Sequence, residues 1–96
     1  MNLADPVSFH RFELSRILNV YSVRVAAGEW RDYAIDQVPG RAVFSIFRNS
    51  LEGPLFTITK WSDEDWEIAH GPRSIVHTDS LDKALTIFSR ELRVVS

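Results

Sequence analysis

Between Gly28 and Arg48 the chain carries two alternating runs about a single turn, and that hairpin constrains every fold open to it. Trp30 to Val38 and Arg41 to Arg48 read as strands joined at Val38-Pro39-Gly40-Arg41. Proline presets φ at the first central turn position, and glycine accepts positive φ at the second, which suits a type II turn. Type II is not the favoured two-residue hairpin turn, so a longer loop or a bulge stays open. If Val38 faces Arg41, then Ile35 opposes Phe44 and Tyr33 opposes Ile46. Those four side chains then share one face with Ala42, and a slip of one residue would scatter them. The other face would carry Trp30, Asp32, Ala34, Asp36, Val43, Ser45 and Phe47, a mixed rather than purely polar set.

The flanking segments read as helices. From Ser8 to Ala26, Leu14, Ile17, Leu18, Tyr21 and Val25 fall on one stripe of a 3.6-residue period. Ser8 is placed to cap the start and Gly28 to stop the end. Arg11, Glu13, Arg16 and Arg24 fall outside that stripe, which predicts that they meet water. From Ser80 to Arg93 the same spacing recurs in Leu81, Ala84, Leu85, Phe88 and Leu92, with Asp79 or Ser80 as the cap. Asp82 near the start and Arg90 and Arg93 near the end complement the helix dipole.

Between hairpin and last helix, Leu55 to Trp61 alternates as a third strand, with Phe56 and Ile58 on one side. Trp66 to His70 and Ser74 to Thr78 read as a fourth and fifth around Gly71-Pro72. The predicted fold class is α+β: an N-terminal helix, an antiparallel meander of four or five strands, and a C-terminal helix. Each helix has one apolar stripe to bury, so both are expected on the Tyr33, Ile35, Phe44, Ile46 face. The 96 residues are expected to make one domain, with residues 1–7 loose.

Composition narrows the function. The chain has no cysteine, which removes disulfides, thiolate nucleophiles and cysteine metal sites and suits a reducing cytosol. No apolar run approaches the roughly 18 residues of a membrane span, and the first residues show no secretion signal. A net charge of −2 argues against a partner held mainly through phosphates. Arginine nonetheless outnumbers lysine nine to two, which keeps local recognition of carboxylates or phosphates in play.

The segment Ala26-Ala27-Gly28-Glu29-Trp30-Arg31-Asp32-Tyr33-Ala34-Ile35-Asp36, with Arg41-Ala42-Val43-Phe44-Ser45-Ile46-Phe47-Arg48, resembles the signature of a family of small bacterial proteins. That family is domain of unknown function 2794, found mainly in alphaproteobacteria. Phe12 to Asn19, Pro54 to Ile58, Leu81 to Leu85 and the ending Arg93-Val94-Val95-Ser96 resemble it too. The sequence departs where family members often carry a basic, variable stretch after the third strand. Here that place holds Asp63, Glu64, Asp65 and Glu67. The resemblance implies a bacterial cytoplasmic protein and brings no activity, cofactor or catalytic residue.

No motif supplies chemistry either. The acidic run lacks the spaced oxygens and central glycine of a calcium loop. No serine sits in a nucleophile elbow, and the Gly-Pro loops hold too few glycines to cradle a phosphate. If Gly71 to Ser74 formed a four-residue loop, His70 and His77 would share a face. Two imidazoles without a third ligand make a weak zinc site. No catalytic residue, metal or cofactor is assigned.

What remains is the outer sheet face. Trp30, Arg31, Phe47, Arg48 and Trp61 are the candidate binding residues, since tryptophan and arginine are typical interface anchors. The leading reading is a non-enzymatic protein–protein binding or accessory module, in which the same face could also make a homodimer. The alternative is single-stranded nucleic acid stacked on that face, with Lys60 joining the basic set. A second alternative is a small-ligand protein or enzyme with a sheet–helix pocket near His70, His77 and Tyr33.

Overall fold

The computed structural model describes residues 6–49 and 51–95, with side chains through Ser89. In chain order the elements are α1 (Arg11–Ala26), β1 (Asp32–Val38), β2 (Arg41–Phe47), β3 (Phe56–Ser62), β4 (Asp65–His70), β5 (Arg73–Thr78) and α2 (Leu81–Val95). The strands form one open antiparallel sheet in the order β1-β2-β3-β4-β5. Two-residue turns join β1 to β2, β3 to β4 and β4 to β5, and residues 48–55 join β2 to β3, so each strand pairs with its chain neighbour.

The hairpin keeps the expected register: Val38 pairs with Arg41, Ile35 with Phe44 and Tyr33 with Ile46. Gly40 has φ +85°, as the second central position of a type II turn requires. The pattern then passes across the sheet. Phe44 lies beside Ile58, Ile58 beside Ile68, and Ile68 beside Val76. Phe44, Ile46, Ile58 and Ile68 are buried in one cluster with Ile17 of α1 and Leu81, Ala84, Leu85 and Phe88 of α2. Both helices therefore lie on one face of the sheet.

Several expectations need correction. The first helix begins at Arg11, capped by His10 rather than Ser8. The Glu13 carboxylate accepts the His10 N–H at 2.8 Å, while the Ser8 carbonyl is taken by the Lys60 ammonium. Glu13 and Arg24, expected in water, are buried. The helix lays Glu13, Ile17, Val20 and Arg24 toward the interior at i, i+4, i+7 and i+11, so its buried stripe is partly ionic.

Ile35 is 46% exposed, although it was expected beneath the helices. The second helix lies over β4 and β5. The first reaches the near edge through Tyr21, whose ring meets Tyr33 at 5.0 Å and Phe44 at 6.1 Å. Ile35 lies past the reach of that contact. The loose opening expected for residues 1–7 falls mostly outside the described residues. Pro6 itself bridges Pro39, and Phe9 stacks on Trp66 with ring centres 6.1 Å apart.

Candidate functional site

Outer-face residues alternate with the core positions along each strand. Three rows cross the sheet. Ala34, Ser45, Thr57 and Ala69 form the middle row; Asp36, Val43, Thr59, Glu67 and His77 lie to one side, and Asp32 and Phe47 to the other. No described element packs over these rows. Ser45 is buried, while Val43, Phe47, Thr57 and Thr59 are half-buried.

The five candidate residues do not form one patch. Trp30 is only 4% exposed and lies in the core, which corrects its assignment to the outer face. The first strand starts at Asp32, so Trp30 belongs to the bend after α1 and escapes the alternation. Its ring packs against Phe88 at 5.1 Å and Phe56 at 6.0 Å. Beneath it the Arg24 guanidinium donates to the Phe88 carbonyl at 2.7 Å and pairs with Glu29.

Phe47 closes β2, with exposed Arg31 and Arg48 beside it. Trp61 lies at the opposite end of the face, roughly 20 Å away along six residues of strand. The indole N–H of Trp61 donates to Glu67 Oε1 at 3.0 Å, and the Arg41 guanidinium sits 5.6 Å from its ring centre. Hydrogen bonds from Ser74 and then Trp61 hold the Glu67 carboxyl below its usual range. Glu67 thus orients the one exposed indole of the face. Lys60, a candidate phosphate contact in the nucleic-acid reading, points inward.

The strongest electrostatic cluster was not expected at all. Lys60 is 2% exposed. Its ammonium donates to the Ser8 carbonyl at 2.8 Å and Glu13 Oε1 at 2.9 Å, and lies 3.3 Å from Asp63 Oδ1. His10 Nε2 lies 3.4 Å from the same Asp63 oxygen. The Lys60 hydrogen bond, then its charge, then His10 hold the Asp63 carboxyl below its usual range. His10, Glu13 and Asp63 offer ligand atoms within 4.8 Å of one another. A fixed ammonium already stands among them, and a divalent ion would have to enter against that charge. The arrangement bolts together the N-terminal segment, α1 and the β3–β4 turn. One signal in the sequence could have revealed it: Lys60 falls at the core-facing parity of Phe56 and Ile58.

The remaining candidates diverge. His70 pairs with Arg73 across a two-residue turn, not the four-residue loop considered above. A register shift between Ile68 and Ala69 then sets His77 opposite Glu67, on the outer face, with Nε2 2.6 Å from Asp65 Oδ1. His70 lies on the helix side against Phe56 at 5.0 Å and lines a surface hollow of about 310 Å³ with Arg48, Leu55 and Pro72. A second hollow of about 220 Å³ touches Glu13, Arg16, Asp63 and Asp82. Tyr33 and His77 line neither hollow. These three residues do not converge on a common point. No described helix is long and apolar enough to cross a membrane.

The described residues define an α+β fold with one open sheet, both helices on one face and a buried lysine–carboxylate bolt. A family model described as "Protein of unknown function (DUF2794)" matches residues 7–67, well over half of the chain, and the chain belongs to that family. Comparison with curated proteins and with solved structures gives no match.

Proposed function

We propose that the whole chain, residues 1–96, acts as one bacterial cytoplasmic unit: a non-enzymatic protein-binding module whose working surface is the outer sheet face. One observation carries the reading. The helices lie together on the opposite face, and among the described residues none forms a covering layer over Val43, Phe47, Thr57, Thr59 and Trp61. An antiparallel sheet can leave one face to water, and such faces then alternate toward polar residues. This one keeps a half-buried apolar and threonine floor between an arginine-flanked phenylalanine and an oriented tryptophan. Aromatic and arginine anchors around the uncharged middle row Ala34, Ser45, Thr57 and Ala69 are the composition of a protein interface.

The nucleic-acid reading loses support because Trp30 and Lys60 face inward and Asp32 and Asp36 stand on the working side. The pocket reading loses support because His70, His77 and Tyr33 point to different places.

A photo-reactive residue in place of Thr59, at the centre of the face, tests the proposal in cells. Adducts with another protein from position 59, and none from exposed Ser15 on α1, are expected. Equal adducts from both positions, or none from position 59, would overturn it.

A further inference from the structure

We propose that two copies of the chain join edge to edge along β1, merging two five-stranded sheets into one continuous antiparallel sheet. The inference does not rest on the outer-face reading, because edge pairing leaves that face open.

The two sheet edges differ. Along β5 the pairing with β4 shifts register between Ile68 and Ala69, and a bulge of this kind twists an edge away from further pairing. Along β1 the seven residues Asp32 to Val38 pair with β2 without interruption, and the Pro6–Pro39 bridge meets this edge only beyond Val38. A long, regular edge of this kind is a template for another strand.

The backbone polarity of that edge follows from the turn. A two-residue connection closes on the hydrogen-bonded pair Val38–Arg41, and such pairs alternate along an antiparallel ladder. Asp32, Ala34, Asp36 and Val38 therefore direct N–H and C=O toward β2. Tyr33, Ile35 and Gln37 direct theirs outward. The Tyr33 N–H accordingly donates to the Asp32 carboxylate at 2.8 Å instead of to the ladder. On the helix side of the same edge, Tyr33 and Ile35 are 40% and 46% exposed. Val25, one turn beyond Tyr21 on α1, is also exposed.

Charge selects both the partner and the register. Pairing two copies with Ile35 opposite Ile35 sets Tyr33 against Gln37, Asp36 against Ala34 and Asp32 against Val38. Every outward N–H and C=O of Tyr33, Ile35 and Gln37 then finds a partner, and no like charges oppose. Centring on Ala34 would set Asp32 against Asp36, and centring on Asp36 would set that carboxylate against itself; like charges directly opposite destabilise a sheet. Centring on Gln37 would bring Ile35 against Pro39, which has no N–H to give. The strand is thus complementary to itself in one full-length register, as a two-fold interface requires.

The test uses the full chain, whose lack of cysteine gives a clean background. Sedimentation equilibrium of the native protein should give the mass of two chains, and Ile35→Lys should give the mass of one with unchanged circular dichroism. Single variants Tyr33→Cys, Ile35→Cys, Gln37→Cys and Thr59→Cys are then mildly oxidised. Opposed residues of a hydrogen-bonded antiparallel pair lie about 5.5 Å apart at Cα, within the disulfide range. Ile35→Cys alone should become a covalent dimer. A one-chain mass for the native protein would overturn the proposal. So would cross-linking at position 33, 37 or 59 with Ile35→Cys left reduced.

Discussion

The ammonium of Lys60, midway along the sheet, donates to the carboxylate of Glu13 at 2.9 Å across 47 positions of sequence. Both side chains are nearly sealed from water, and the pair ties the start of α1 to β3. Removing one partner of a buried pair leaves an uncompensated charge, which costs about 3–5 kcal/mol. Lys60→Met should therefore lower the unfolding free energy by that order. Glu13→Leu added to Lys60→Met should recover much of the loss, because an apolar pair can replace a buried ion pair. Urea unfolding of the two single variants and the double variant measures the coupling.

Asp63 adds a pH dependence to the same bolt. Its folded pKa is depressed, chiefly by the hydrogen bond from Lys60. A depressed carboxyl stabilises the fold above its ordinary value of 3.8, and that contribution is lost as pH falls through the folded value. Asp63→Asn should be less stable than the native protein near neutrality. The difference should shrink as pH falls below 3.8 and vanish only once pH is below the depressed folded value, as thermal melts across pH would reveal.

The tryptophans should respond in opposite ways. Trp30 fills the corner between Phe56 and Phe88, and truncating a core aromatic costs about 3–5 kcal/mol. Trp61 is 40% exposed, and surface truncations usually fall within about 0.5 kcal/mol. Chemical denaturation should find Trp30→Ala severely destabilised and Trp61→Ala nearly native in stability.

Gly40 holds φ +85° at the hairpin turn, where a β-carbon is strained. Gly40→Ala should cost about 1–2 kcal/mol. The open space around it means that backbone conformation alone is being tested.

The hairpin register was legible because the Pro39-Gly40 turn and the apolar alternation agree on it, and a single slip would have broken both. The helices were legible from their apolar stripes, but their ionic positions were not. Period counting treats Glu13 and Arg24 as solvent-facing, and the groups that accept them, Lys60 and the Phe88 carbonyl, come from distant parts of the chain. Trp30 was misplaced because alternation was extended two residues before the first strand pair. The separation of Phe47 from Trp61 follows from the β2–β3 register, which residue types alone did not specify. The exposure of Ile35 depends on how far two helices reach across five strands, a packing outcome with no local signature.

The outer face can be interrogated directly by cysteine protection in a chain that has none. Thr59→Cys and Ser15→Cys are expressed in the native host and treated with a membrane-permeant maleimide, alongside the purified variants. Both should react when purified; in cells, position 59 should be shielded while position 15 still reacts. Equal labelling of the two positions in cells would contradict the assignment of this face as the binding surface.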